Sequence, residues 1–233
     1  MNPYTATVLT FVIALAFLRL MDLIAQRGWI DSRTSRKLIH IGTGPIFVLC
    51  WLMFPGLPIS RWLAALVPLL ITVQFALVGT GVLKDEAAVK AMSRTGERRE
   101  ILRGPLFYGI MFVAITLVYW KDSLIGIPAL MMMCGGDGIA DIVGRRVRSA
   151  KLPWSPDKSV AGTLSVFAGG WLLTILVFAM YVSAGTFVGP VARFLLPVTW
   201  IALGATAVES LPFKDIDNIT LTVVSALIGH LVF

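Results

Sequence analysis

Long apolar runs separated by short polar connections dominate the pattern of hydrophobic positions in this chain. Runs of about 17 to 25 apolar residues are long enough to cross the hydrocarbon core of a bilayer as helices. The pattern therefore predicts an all-α polytopic membrane helix bundle, with about eight transmembrane helices in a single domain over residues 1–233. The predicted spans are residues 4–25, 38–54, 62–83, 104–120, 123–143, 159–183, 193–211 and 218–233.

Basic residues are spread unevenly over the connections between these spans. Most of the 20 Lys and Arg residues fall in the first, third, fifth and seventh connections, and the seventh contains Lys214. Cytoplasmic loops of membrane proteins carry an excess of Lys and Arg, so these connections are predicted to face the cytoplasm. Both termini would then lie on the non-cytoplasmic side.

The composition agrees with an integral membrane protein. The chain is 57% hydrophobic and 14% charged, whereas about a quarter of the residues in a soluble domain are charged. A net charge of +7 could suit nucleic acid, but basic cytoplasmic loops explain it, so we expect membrane lipid and no nucleic acid as a partner. The oligomeric state is left open, with a homo-oligomer among the alternatives.

Residues 134–163 hold the candidate chemistry. Asp137 and Asp141 are four residues apart at the end of an apolar run, so a helix would place both carboxylates on one face. Acids within hydrocarbon are costly and therefore indicate function. Arg145 and Arg146 follow directly, and paired carboxylates beside cations suit a divalent metal ion that carries a phosphorylated molecule. The structural alternative for the pair is an internal salt bridge.

The segment Ser155–Ser159 has the pattern of a helix start. Ser155 is a capping residue and Pro156 suits the first helical position. We therefore expect Lys158 in the first turn, where free N–H groups and the positive end of the helix dipole favour a phosphate. The alternative is that Lys158 only extends to the membrane interface.

Polar residues near the predicted cytoplasmic ends of other helices add to this set. Glu209 precedes a polar loop that ends at Asn218, and Lys37 and His40 open the second span. A lone His at such a position is most often a packing residue that is hydrogen-bonded. Glu209, Asn218, Lys37 and His40 are nevertheless candidates for the same site, because the predicted topology places them at the same membrane face.

The order of these motifs resembles that of the CTP-dependent polyprenol kinase family of phytol, farnesol and dolichol kinases, and is most similar to the phytol kinase branch. The matching positions cover most of the chain from residue 36 onward. They are residues 36–40, 136–146, 151–153, 158–163, 205–212 and 217–218.

The resemblance implies transfer of the γ-phosphoryl group of CTP to the hydroxyl of a membrane isoprenoid alcohol, such as phytol, geranylgeraniol or farnesol, with release of CDP. It implies Mg²⁺ as the cofactor, bound by Asp137 and Asp141. These two residues, with Lys158 and Glu209, would be catalytic. Residues implied to bind the nucleotide are Lys37, His40, Arg145, Arg146, Lys151, Lys158, Ser159 and Asn218.

Other functions remain open at this point. A phosphatidate cytidylyltransferase also uses CTP but transfers the nucleotide, and a CTP-dependent diacylglycerol kinase would act on a different lipid. An ion-coupled transporter would also contain intramembrane acids. For the kinase, we expect the inner membrane of a bacterium, with the active site facing the cytoplasm.

Overall fold

The structure is a computed structural model that describes residues 1–213 and 215–233. Lys214, which the charge pattern assigned to the basic seventh connection, lies outside the described residues. The helices are, in chain order, α1 (Pro3–Gln26), α2 (Ser32–Cys50), α3 (Pro58–Thr80), α4 (Glu86–Met92), α5 (Gly104–Val118), α6 (Gly126–Met131), α7 (Gly138–Arg146), α8 (Val160–Ser183), α9 (Leu195–Glu209) and α10 (Asp217–Val232). Short 3-10 helices occupy Trp51–Met53, Arg98–Leu102 and Val191–Phe194.

Six helical segments within the described ranges are long and apolar enough to cross a membrane. They are Pro3–Gln26, Pro58–Thr80, Arg98–Val118, Gly126–Arg146, Val160–Ser183 and Val191–Glu209. Helix α2 differs because Arg33, Arg36 and Lys37 fall in its first turns, and α10 has 16 residues, or about 24 Å of helix. The predicted helical membrane bundle is confirmed, whereas eight crossings and the side of the termini stay predictions.

Local polar residues set where several helices begin. The Asp31 carboxylate accepts hydrogen bonds from the backbone N–H of Thr34 at 2.8 Å and from its hydroxyl at 2.7 Å. These bonds stabilise the charged carboxylate and lower the pKa of Asp31. Helix α3 ends at Gly81, which has a φ of 86°, a backbone conformation that glycine adopts without a Cβ clash. The boundaries of α2 and α3 are therefore encoded locally.

The predicted helix start at residues 155–159 is wrong. Ser155–Ser159 instead forms strand β2, which pairs in an antiparallel hairpin with strand β1 (Lys151–Leu152). The backbone of β2 bonds across the hairpin, and Pro156 is tolerated because an edge strand can spare an N–H. Helix α8 begins one residue after β2, with the Ser159 hydroxyl accepting from the Gly162 N–H at 3.2 Å.

The centre of the bundle is the segment that contains α6, a π-helical turn at Met132–Asp137 and α7. In the most apolar part of this segment, 72% of the residues are buried, compared with 11% in α1. Glycines allow α8 to approach it closely: a Cβ at Gly169 would lie 2.7 Å from the Gly135 carbonyl oxygen. The absence of a side chain at Gly169 therefore lets the two helices approach closely, as small residues do at helix interfaces in membranes.

Gly169→Ala tests this packing. The added Cβ would meet a backbone oxygen that cannot rotate away, so we expect a loss of about 1–3 kcal/mol in unfolding free energy, the usual cost of overpacking. Gly56→Ala is the matched control, since a Cβ there has nothing within 4 Å. Thermal unfolding in detergent micelles should show a lower midpoint for Gly169→Ala alone, and equal midpoints would contradict the assigned contact.

Candidate functional site

Helix α2 packs antiparallel to the central segment, and charged contacts repeat along this pair of helices. Arg33 Nη2 lies 3.5 Å from Asp141 Oδ1. One turn further along α2, Lys37 Nζ lies 3.1 Å from Asp137 Oδ2, and His40 Nε2 lies 3.3 Å from the same oxygen. Both carboxylates therefore face α2, as their four-residue spacing predicted.

Asp141 has a second cationic partner on its own helix. Arg145 Nη2 lies 2.6 Å from Asp141 Oδ2, and Arg145 Nε donates to the Asp141 carbonyl oxygen at 2.8 Å. Each of the two central carboxylates is thus engaged by two cationic or imidazole groups, as in the internal salt bridge that was the structural alternative for this pair. To bind a metal ion, either carboxylate would have to release one of these partners.

His40 is held in a defined position by its neighbours. Its Nε2 lies 3.2 Å from the Met133 carbonyl oxygen, and its ring centroid lies 4.3 Å from that of Tyr108. The Tyr108 hydroxyl donates to the His40 carbonyl oxygen at 2.7 Å and lies 3.2 Å from Cys134 Sγ. Tyr108 was not predicted as a site residue, because nothing in the sequence links it to α2.

A second ion cluster joins the hairpin to the ends of α9 and α10. Lys158 Nζ lies 3.0 Å from Glu209 Oε1 and 3.8 Å from Asp217 Oδ1, and it also donates to the Glu209 carbonyl oxygen. The side chains of Lys158 and Glu209 are only 16% and 12% exposed. Glu209 Oε2 is buried and accepts no hydrogen bond from the residues that the structure describes. Lys158 therefore reaches the site from a strand, not from a helix N-terminus.

Asp217 connects the two clusters. It lies within electrostatic range of Asp137 and Lys37 on one side and of Lys158 and Glu209 on the other. The clusters therefore form one polar centre. Sequence analysis did not select Asp217 as a site residue. Residues 209–218 contain four acidic or amide side chains, and their spacing alone does not show which of them face the site.

Asn218 lies at the edge of this centre. Its Nδ2 donates to the Gly104 carbonyl oxygen at 2.9 Å, which ties α10 to the start of α5. Its Oδ1 is buried and has no hydrogen-bond partner within residues 1–213 and 215–233. Asn218 and Glu209 thus each present a buried oxygen that can accept a bond from a ligand.

Three of the predicted nucleotide-binding residues lie apart from the polar centre. Arg146 is exposed at the end of α7. Lys151 is exposed in the hairpin, where its Nζ donates to the Asp157 carbonyl oxygen at 3.2 Å. The Ser159 hydroxyl is the cap of α8. Among the described residues, the structure therefore gathers Lys37, His40, Asp137, Lys158, Glu209 and Asn218 but not these three.

The donor set bears on the implied Mg²⁺. Within the part of the chain that the structure describes, no group of three or more His, Cys, Asp or Glu side chains is placed to hold a metal ion. Mg²⁺ usually takes one or two protein carboxylates and completes its shell with phosphate oxygens and water. Such an ion would take protein oxygens from Asp137 and Asp141, the two acids that the resemblance implies, after each had released a cationic partner.

A cavity of about 430 Å³ opens at the polar centre, which is within the range of about 300–1,000 Å³ found for ligand pockets. Its mouth includes Lys37, His40 and Asp137, and its walls continue between α1, α2, α3 and α5 as far as Cys50 and Phe112. The cavity therefore connects charged groups with an apolar interior.

Cations of the connection between α3 and α5 lie beside this mouth. A smaller pocket is lined by Arg33, Arg36, Lys90, Ser93 and Arg94. This connection contains the short helix α4, and Arg94, which follows it, also lines the large cavity. Sequence analysis did not select Arg94 as a site residue, because only the fold brings this connection over α2.

Comparison with known proteins identifies relatives over nearly the whole chain. A probable phytol kinase, chloroplastic, from Triticum aestivum is 40% identical over 230 residues, covering 98% of this chain and 77% of the relative. Farnesol kinase, chloroplastic, from Arabidopsis thaliana is 40% identical over 229 residues, covering 96% and 73%. Phytol kinase 1, chloroplastic, from the same plant is 37% identical over 230 residues, covering 98% and 76%. No protein-family model and no solved structure matches the sequence.

These relatives decide the family but not the location. All three are named as chloroplastic plant proteins, so they give no support to the expected bacterial inner membrane. The apolar helices described above make this an integral membrane protein. The phytol and farnesol kinases match at least 96% of this chain and at least 73% of their own length, and the protein therefore belongs to the polyprenol kinase family and is a membrane-embedded kinase.

Proposed function

We propose that this protein transfers the γ-phosphoryl group of CTP to the hydroxyl of a membrane isoprenoid alcohol, releasing the alkyl monophosphate and CDP. The observation that carries this proposal is the position of Asp137 at the mouth of an apolar cavity, with a pocket of cations beside it. An apolar alcohol and a polyanion can meet at such a boundary. The names of the relatives support phytol or farnesol as the type of acceptor.

The reaction requires positioning and removal of one proton. The alcohol oxygen attacks the γ-phosphorus, the bond from phosphorus to the β–γ bridging oxygen breaks, and CDP leaves. In this mechanism, Asp137 accepts the hydroxyl proton at Oδ1. Lys37 and His40 contact Oδ2 and orient the carboxylate, which matters because phosphoryl transfer depends mainly on alignment and charge neutralisation.

Cations at the mouth supply much of that neutralisation. In the proposal, Arg33, Arg36 and Arg94, which line the small pocket, bind the CTP phosphates, and Arg guanidinium groups suit this role because they bind phosphate with paired N–H donors. Lys158, on the other side of Asp217, contributes a further positive charge that helps to neutralise the phosphates. Mg²⁺, when bound through Asp137 and the triphosphate, would neutralise further phosphate charge.

The proposal includes a topology of eight crossings, with α2 and α10 crossing as well as the six longer segments. Contacts among the basic connections support it, since Arg33 pairs with Asp141 and Arg103 pairs with Asp215 at 2.9 Å. Phe233 packs with Phe194, away from these pairs. The basic end would face the cytoplasm or the equivalent compartment, with both termini on the other side.

The cavity lining argues against the alternatives. A cation path would need polar or charged groups along its length, but between its mouth and Cys50 the cavity is lined mainly by aliphatic and aromatic residues. A phosphatidate cytidylyltransferase or a diacylglycerol kinase would bind two acyl chains, which fill a larger volume than one isoprenoid chain. A single cavity of about 430 Å³ favours the single chain.

Labelled nucleotides test the donor and the acceptor together. Purified protein is offered γ-labelled CTP or ATP with phytol, farnesol, geranylgeraniol, dolichol or diacylglycerol. We expect label in an isoprenoid monophosphate and CDP as the second product. Release of pyrophosphate would identify a cytidylyltransferase instead, and label confined to phosphatidate would identify a diacylglycerol kinase.

Asp137→Asn tests the assigned base. Removing a positioned base slows reactions by about 100-fold or more, so we expect that loss in kcat, with the protein still folded by circular dichroism.

Asp141→Asn tests the metal assignment that the resemblance implied, and we expect it to raise the Mg²⁺ concentration needed for half-maximal rate. Asp122→Asn, at an exposed acid in the connection between α5 and α6, is the control. Full activity of Asp137→Asn would remove Asp137 from the mechanism.

Site-directed labelling tests the topology. Cysteines are introduced separately at Asn2, Glu97 and Val188, which are all exposed, in a background where the buried Cys50 and Cys134 are replaced. In sealed vesicles, a membrane-impermeant maleimide should label positions 2 and 188 from one side and position 97 from the other. Labelling of positions 2 and 97 from the same side would exclude eight crossings with this orientation.

A further inference from the structure

We propose that the deep part of the large cavity binds the isoprenoid tail and that its closed end limits the length of tail the enzyme accepts. This inference rests on the proposed function, because it assumes an isoprenoid alcohol as substrate. It adds a specificity-determining site that involves Val67 of α3, Phe112 of α5, and Phe47 and Cys50 of α2. None of these residues was among the candidates for catalysis.

The depth of the cavity can be followed along α2. Lys37 at the mouth and Cys50 at the far end both line it. They are 13 positions apart, which corresponds to about 20 Å along a helix. Depth on this scale fits one extended prenyl chain of the size of farnesol or geranylgeraniol, with its hydroxyl at Asp137. A dolichol chain is several times longer.

Neighbouring helices close the far end from other directions. On α5, the Phe112 ring lies 5.6 Å from the Phe47 ring of α2. Helix α3 runs antiparallel to α5, because Thr72 packs against Gly109 and Gly79 packs against Leu102. Val67 lies beyond Thr72 in the direction away from the mouth and also lines the cavity. The deep end is therefore formed by residues of α2, α3 and α5 together.

An aromatic cluster lies behind this end. The Phe47 ring lies 5.8 Å from that of Trp51, and Trp51 lies 5.3 Å from Trp120. Phe54 contacts the same Trp120 ring at 5.8 Å. Trp51 is fully buried and Phe54 is 2% exposed. Closely packed rings of this kind leave no room for further chain, so a tail that reaches Phe47 cannot extend past it.

The chemistry of the deep walls suits hydrocarbon. The hydroxyl of Thr10 donates to the Ala6 carbonyl oxygen at 2.7 Å, and that of Thr43 donates to the Ile39 carbonyl oxygen at 2.6 Å. Both hydroxyls are thus hydrogen-bonded within their own helices and do not require a polar group on the ligand. Tails of branched hydrocarbon match walls of this composition. A phospholipid acyl chain shares this chemistry, so the experiments must separate the two sources.

Val67→Phe is the first test. Val67 is 2% exposed and lines the cavity, so a larger side chain shortens the available space. We expect the ratio of kcat/KM for geranylgeraniol to that for farnesol to fall about tenfold or more, the usual effect of a misfit in an apolar pocket. Leu70→Phe is the matched control on the same helix, since Leu70 is 56% exposed and does not line the cavity.

Two results of this test have different meanings. If the wild-type enzyme is active and Val67→Phe leaves the ratio unchanged, the length-limiting site is wrong while the proposed function stands. If wild-type protein phosphorylates no isoprenoid alcohol, the proposed function is wrong.

Photolabelling tests the tail site without requiring activity. A farnesol analogue with a diazirine at the end of its tail is bound to the wild-type protein and irradiated. We expect the label on peptides that contain Phe47, Cys50 or Phe112, and we expect excess geranylgeraniol to prevent it. Label on lipid-facing residues such as Leu70, or protection by phosphatidylglycerol but not by a prenyl alcohol, would overturn the proposal.

Discussion

The ion pair between Lys37 and Asp137 is the contact on which the rest of the site depends. It joins α2 to the central helical segment at 3.1 Å, and the Lys37 side chain is only 11% exposed. Burying two charges is costly, and removing one partner of such a pair typically costs about 3–5 kcal/mol because the other charge is left uncompensated. The pair therefore fixes the register of α2 against its neighbour. That register also places His40 beside the Asp137 carboxylate and Arg33 beside that of Asp141.

This constraint explains why charge and hydrocarbon meet at one place. Asp137 ends a π-helical turn that packs among fully buried residues, and its carboxylate faces the cavity mouth. Lys158 of the hairpin brings α9 and α10 to the same centre through its contacts with Glu209 and Asp217. Trp154 helps hold the hairpin there by donating from Nε1 to the Ser210 carbonyl oxygen at 3.1 Å. A polar centre built from five separate segments stands directly above an apolar cavity.

The chemistry of the central motif could be read from the sequence, but its partners could not. The spacing of Asp137 and Asp141 correctly predicted two carboxylates on one face. It did not predict that Lys37, His40 and Arg33 occupy them, since these residues are about 100 positions away in the chain. Local pattern failed outright at Ser155–Ser159, where capping residues gave a helix start and tertiary pairing produced a strand.

Length and hydropathy alone determined that this is a helical membrane protein, because a bilayer of fixed thickness admits few other solutions for long apolar runs. Motif order alone indicated the family, because the matching segments between residues 36 and 218 follow one another in the order typical of that family. Only the tertiary structure decided which charges are paired, that Asp217 and Arg94 join the site, and that a largely apolar cavity begins at Asp137. These features depend on contacts between helices far apart in sequence, and local patterns carry no information about such contacts.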